Sequence, residues 1–246
     1  MAVVQVRNLE KSFAGVDAVS GMSFDVESGE LYGFLGPNGA GKTTTIRILT
    51  GQLRPDSGSV SVDGTDPSID PIETRRRVGI LPEDGMPPSF FTPREYFQYV
   101  GRLRGLDDDD VSETTLQLAD RLGLERRLDT LHTDLSRGQQ QKVMLVQAFL
   151  HDPDVVFIDE PLANLDPLVQ EQVKSYLSAY VDDGNTVFAS THNIDVAETL
   201  CTRVGIVADG TLIAEEDLNE TTDPLLEVFL STVTDAKPRD VPRLER

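Results

Sequence analysis

Residues 31–53 read LYGFLGPNGAGKTTTIRILTGQL, and no other stretch limits the fold as much. An apolar run, Leu31–Leu35, enters a loop with three glycines in six positions. The chain then resumes as a helix from near Gly41 to about Leu53, closed by Arg54-Pro55-Asp56. Strand, tight turn and helix in that order form a unit whose helix covers one face of a parallel sheet. The loop Gly36-Pro37-Asn38-Gly39-Ala40-Gly41-Lys42-Thr43, followed by Thr44, fits G-x-x-x-x-G-K-[ST]. Its glycines allow successive backbone N–H groups to turn inward around phosphate. Lys42 then supplies a flexible charge for β- and γ-phosphates, and the Thr43 hydroxyl can ligate Mg²⁺.

Charge narrows the partners. The 246 residues carry 42 acidic and 22 basic side chains, a net charge of −20, while 39% hydrophobic content is enough for a core and excludes wholesale disorder. So negative a field disfavours nucleic acid and anionic lipid, which are bound through Lys and Arg. The excess is 26 Asp against 17 Arg and only five Lys, the pattern of a solvated acidic surface suited to concentrated salt. A lone Cys201 excludes a disulfide framework or a Cys-rich zinc site. With no apolar run of membrane-spanning length and no signal-peptide layout in MAVVQVRNLEKSF, a soluble intracellular protein is expected.

The first third is strand-rich: Val3–Arg7, Met22–Glu27, Leu31–Leu35 and Ser59–Asp63, with Val78–Leu81 following. Residues 86–150 change character, with helices expected at Pro93–Leu103, Val111–Leu122 and Ser136–His151. The Asp107–Asp110 run sits where carboxylates cap a helix and favour its positive end. Strands return at Asp154–Asp159, Thr186–Ser190, Val204–Val207 and Thr211–Ala214, with helices at Pro167–Val181 and Ile194–Leu200. The expected class is α/β: a mostly parallel sheet, an antiparallel β subdomain near the N-terminus, and an inserted helical subdomain over about 86–150. Residues 1–233 read as one domain and 234–246 as a polar, flexible tail.

Val155-Val156-Phe157-Ile158-Asp159-Glu160 describes a buried strand delivering two carboxylates at its C-terminal edge, where ligands sit in α/β sheets. Asp159 suits Mg²⁺, and Glu160 suits orienting or deprotonating an attacking water. A third motif, Leu135-Ser136-Arg137-Gly138-Gln139, lies some twenty residues earlier and resembles LSGGQ, the signature of ABC-type ATPases. Ser136 falls where a helix begins, so its hydroxyl and nearby N–H groups can form a second phosphate-binding end.

The resemblance covers about residues 3–231 and is to ABC transporter ATP-binding proteins with a P-loop NTPase core, similar to the drug- and antibiotic-exporter branch. It implies ATP and Mg²⁺ as cofactors and a head-to-tail dimer, of identical or related subunits, in which Ser136, Gly138 and Gln139 meet ATP held by the other chain. Phe13 takes the place of the aromatic that stacks on adenine. Asp166, in LANLDP, falls in the D-loop that contacts the opposite subunit, and His192, in STHN, falls at the switch histidine of the γ-phosphate. Glu83, in LPE, falls at the Q-loop and adds a possible metal ligand. Two positions depart from the usual pattern: Glu83 stands where most members carry Gln, and Arg137 replaces the first Gly of the signature pair. Activity is expected to survive both.

The implied function is the Mg-dependent ATPase subunit of a transporter, with catalysis by Glu160, His192 and Lys42. It is expected to be cytoplasmic, peripheral on the inner membrane face through a separate integral-membrane permease that docks near Glu83–Arg104. That segment includes Phe90, Phe91, Tyr96, Phe97 and Tyr99. The alternative, a soluble ABC-type ATPase acting in DNA repair or on ribosomes, calls for long coiled-coil insertions or tandem ATPase units, and neither is seen. A GTPase or small-molecule kinase would leave the signature unexplained, and no N-K-x-D motif is present.

Overall fold

The computed structural model describes residues 1–162, 165–221 and 223–236. Its centre is a six-stranded sheet in the order β5-β6-β7-β3-β8-β9. These strands are β3 (Leu31–Leu35), β5 (Val78–Leu81), β6 (Val155–Asp159), β7 (Thr186–Thr191), β8 (Arg203–Ala208) and β9 (Thr211–Asp217). The first five run parallel, and β9 turns back antiparallel on β8 at the edge. A smaller antiparallel sheet, order β2-β1-β4, is built from β1 (Ala2–Phe13), β2 (Val16–Glu27) and β4 (Ser57–Val62).

The central strands look continuously apolar because both their faces are covered. Alternate residues serve two different cores. Leu31, Leu35, Val156, Ile158, Val187 and Ala189 join the helices on one side. Tyr32, Phe34, Phe157 and Phe188 join the small sheet on the other, where Phe188 stacks on Tyr32 at 5.5 Å and lies 5.2 Å from Phe34. Period-two side-chain alternation is thus present in the packing while invisible in the hydropathy.

Between β5 and β6 the chain forms α3 (Pro93–Arg104), α4 (Asp108–Leu122) and α5 (Arg137–Phe149). Thr92 and Glu95 close a capping box at the start of α3. Gly101 lets α3 approach α4 closely, since a Cβ there would collide with Val111. The Asp run behaves as expected: Asp107 caps α4 through the Asp109 N–H (2.9 Å), and Asp108–Asp110 occupy its first turn.

Several boundaries differ from expectation. The strands β1 and β2 extend to Phe13 and back to Val16, because repeated register shifts break the alternation that marks a strand. The helix after the Gly-rich loop is α1 (Lys42–Leu49), shorter than expected, with Gly41 in the left-handed region and Thr50 as C-cap. A seven-residue helix, α2 (Pro71–Arg77), was not anticipated; it buries only Thr74 and so has no apolar periodicity to reveal it. The helices α6 (Pro167–Asp182) and α7 (Ile194–Leu200) fall where expected, but α8 (Leu225–Ala236) occupies a stretch to which no element was assigned. The tail was expected from residue 234, but α8 runs on through Ala236; the rest of the tail lies outside the described residues, as do Ala163 and Asn164 of LANLDP. Among the described residues no helix is long and apolar enough to cross a membrane.

Candidate active site

Four neighbouring strands deliver the site. In the order β5-β6-β7-β3, each ends at the same edge of the sheet, so the residues just beyond them converge: Glu83, Glu160, His192 and Gly36.

Gly36 donates its N–H to the Thr191 carbonyl at 3.2 Å, and a Cβ there would collide with the Val207 carbonyl. Gly41 has φ +98°, and a Cβ on it would collide with the Ala18 carbonyl, so β2 forms one wall of the loop. Ala40 closes the turn by donating to the Pro37 carbonyl at 3.2 Å. Lys42 is only 6% exposed, yet among the described residues it forms no ion pair with a carboxylate. Its ammonium donates to the Gly36 and Pro37 carbonyls at 2.8 and 3.2 Å. Burial pulls its pKa below the ordinary lysine value, with Glu160, Asp159 and Glu83 opposing.

A cavity of about 400 Å³ is lined by the Gly-rich loop residues Asn38, Gly39, Lys42, Thr43 and Thr44 together with Glu83, Asp159 and Glu160. Asp159 is buried and accepts from the Ser190 hydroxyl. Glu160 adopts φ +56°, a costly conformation for a residue with a Cβ. Hydrogen bonds hold it there: its N–H donates to Ser190 O (3.0 Å), Thr191 Oγ1 donates to its Oε2 (3.0 Å), and the His192 N–H donates to its Oε1 (3.0 Å). Ser190 and Thr191 were not singled out by sequence reasoning. The available signal was a pair of hydroxyl residues ending an apolar strand immediately before His192.

Glu83 is exposed, and its carboxyl pKa is raised from the ordinary value by partial desolvation and then by Asp159, Asp84 and Glu160, with Lys42 opposing. Among the described residues no three of His, Cys, Asp and Glu converge to hold a metal by themselves. Thr43, Glu83 and Asp159 nevertheless offer hard oxygen donors around one cavity, the partial set that suits Mg²⁺ shared with waters and phosphates.

The remaining candidates lie elsewhere. Ser136 caps α5: its Oγ accepts from Gln139 N (3.3 Å), and Gln139 Oε1 accepts from Ser136 N (3.0 Å). Among the described residues a Cβ on Gly138 would meet only Leu165 Cδ2, at 3.8 Å, an ordinary contact distance, so none of them demands glycine there. Asp166 caps α6 through Val169 N at 3.1 Å. None of these residues lines the cavity around the Gly-rich loop of the same chain, nor does Phe13, which is half exposed with the Lys11 ammonium 5.5 Å from its ring centroid.

Comparison with known proteins identifies the family. The family model described as ABC transporter matches residues 19–163. The chain is 37% identical to the Nod factor export ATP-binding protein I of Burkholderia lata, across 87% of this chain and 71% of that protein. It is 36% identical to the daunorubicin/doxorubicin resistance ATP-binding protein DrrA of Streptomyces peucetius, across 88% and 66%. A solved ATP binding subunit of an ABC transporter superposes with a TM-score of 0.87 at 28% identity, covering 94% of this chain and 99% of that one. The chain therefore belongs to the ABC transporter family, as an ATP-binding, ATP-hydrolysing subunit.

Proposed function

We propose that this subunit powers export through a separate integral-membrane permease, working as a head-to-tail dimer on the cytoplasmic face of the membrane. The observation that carries the reading is the gathering of Lys42, Thr43, Glu83, Asp159 and Glu160 around one cavity. Export is supported by the names of the relatives, an export protein and a drug-resistance protein.

In this reading the loop N–H groups of residues 36–44 cradle the phosphates, and Lys42 exchanges its two carbonyl partners for the β- and γ-oxygens. Thr43, Asp159 and Glu83 hold Mg²⁺, which supplies charge neutralisation on the phosphates. Glu160 orients the attacking water and takes its proton, and His192 faces the γ-phosphate with the ring nitrogen that Glu160 does not hold, which can donate there only in the imidazolium form. Phe13 packs against adenine. The second subunit presents Ser136, Gly138, Gln139 and Asp166; supporting this, a Cβ on Gly138 would clash with none of the described residues of its own chain, so the glycine is not required by them. The permease docks by Phe90, which is 73% exposed, and by Tyr99 of α3, beside the Glu83 loop. Residues 1–233 act as one ATPase domain with 86–150 as its helical subdomain, and the acidic surface suits a salt-rich interior.

The test is Glu160→Gln in the full chain. Retained ATP binding, lost turnover and an ATP-dependent dimer support the reading, whereas undiminished hydrolysis removes Glu160 from its role. Purification from the host in mild detergent and high salt then checks for a co-purifying polytopic membrane protein; ribosomes or repair proteins in its place would overturn the transporter assignment.

A further inference from the structure

Lysine is scarce in this chain, five against 17 Arg, and each of the four described lysines is held by a partner. Lys11 and Lys174 form ion pairs with Asp56 and Glu171, and Lys42 serves the phosphate loop. Lys142 has no such explanation. It lies on α5, is 7% exposed, and forms no ion pair among the described residues. Among the described residues its ammonium makes one hydrogen bond, to the Gln172 side-chain oxygen on α6, at 2.9 Å. Enclosing an ammonium whose hydrogen-bond partner is neutral costs desolvation energy that no ion pair offsets. Burial lowers its pKa, and the carboxylates acting against that are Asp166 and Glu125.

The two helices joined by this bond carry the two segments expected to face a second subunit. The signature turn, Ser136–Gln139, begins α5, and Asp166 caps α6. Each segment is fastened to its own helix by a glutamine amide. Gln140 Nε2 donates to His132 O (2.9 Å) and Leu135 O (3.3 Å); Gln170 Nε2 donates to Leu162 O and Leu165 O, both at 3.2 Å. A Cβ on Gly138 would lie 3.8 Å from Leu165 Cδ2, so the two segments run side by side. Lys142–Gln172 is the polar tie between the two fastened units.

We infer that Lys142 is a positioning residue, which through Gln172 locks the signature turn of α5 to the Leu165–Asp166 segment so that both meet a second copy of this chain, and the ATP it holds, as one surface. The inference rests on the head-to-tail reading above. Lys142 touches neither ATP nor metal; it acts by fixing the register of two segments that do not share an element. Loss of the tie leaves the phosphate loop intact and weakens the encounter of two loaded chains.

The experiment uses full-length protein with MgATP in the Glu160→Gln background, where the dimer accumulates. Light scattering reads ATP-dependent dimerisation, and a fluorescent ATP analogue reads binding to the monomer. Lys142→Met is expected to weaken dimerisation by roughly tenfold or more with monomer binding unchanged, and otherwise native Lys142→Met to lose turnover at saturating ATP with little change in KM. Lys142→Arg should restore both. The double variant Lys142→Met/Gln172→Leu leaves no buried group unpaired, so it keeps its thermal midpoint and is expected still to dimerise poorly. Wild-type dimerisation in the double variant would overturn the inference, since packing alone would then suffice, and so would normal dimerisation by Lys142→Met. A Glu160→Gln parent that stays monomeric with MgATP sinks the head-to-tail reading first, and this inference with it.

Discussion

The Glu160 Oε1 atom receives two groups from one residue: the His192 backbone N–H at 3.0 Å and the His192 ring Nδ1 at 2.6 Å. The imidazole is folded back onto the carboxylate although its side chain is 54% exposed. A ring held this way presents its other nitrogen outward, and the carboxylate keeps a single orientation.

This pairing predicts that His192→Ala lowers turnover by about 10²- to 10³-fold while leaving ATP affinity nearly unchanged, the scale of losing one donor that acts on transition-state charge. Parallel measurements of ATPase rate and nucleotide binding check it. A fall in affinity that matches the fall in rate would make His192 a ground-state binding group.

Lys42→Ala should weaken ATP binding itself. The lost ammonium makes charge-assisted hydrogen bonds of about 1.5–3 kcal/mol, or about 10- to 150-fold in Kd. Calorimetric titration with MgATP reads this, and unchanged affinity would remove the phosphate role of the loop.

The Glu83 carboxyl has a folded-state pKa above its ordinary value, because partial desolvation, Asp159, Asp84 and Glu160 all disfavour its charge. Its favourable contribution to folding is therefore complete below the usual carboxylate range and lost as pH rises through the raised pKa. At pH values above that raised pKa, without Mg²⁺, the ionised side chain disfavours the folded subunit. Glu83→Gln should raise the thermal midpoint at pH 7, and the advantage should shrink as pH falls toward the carboxylate range. With Mg²⁺ and ATP the sign reverses, since the variant has lost a ligand charge. A midpoint gain independent of pH would refute the electrostatic origin.

The −20 charge predicts salt-dependent stability. Raising KCl from about 0.1 M to about 1 M shortens the Debye length from about 10 Å to about 3 Å and screens acid–acid repulsion. The thermal midpoint should rise over that range. Exposed pairs such as Arg94–Asp129 and Arg102–Asp108 weaken in the same range, so a flat or falling midpoint would show that ion pairs outweigh repulsion.

What could be read from the sequence was whatever is written locally. The Gly-rich loop, the strand ending in Asp159-Glu160 and the Ser136 cap each occupy fewer than ten consecutive residues, and each carries its own geometry. The clamps on the carboxylates were not legible, because Ser190 reaches Asp159 only through the pairing of β6 with β7, which no local pattern reports. The α2 helix escaped for a related reason: one buried threonine makes no periodic signal, and Asp70 with Pro71 was its only start mark. Lys142 looked like any charged residue on a helix until the fold enclosed it.

The strand β3 has buried residues at all five positions, and its two neighbours are β7 and β8. Both lie more than 150 residues later in the chain. During synthesis, LYGFL therefore leaves the ribosome long before any strand can ladder with it. The phosphate loop shares that delay: Gly36 waits for Thr191 to receive its N–H and for Val207 to back it. A nascent chain carries its most conspicuous motif early and can seat it only late, with an apolar segment in need of shelter meanwhile. Chains cut before residue 186 should keep the motif and lack the site.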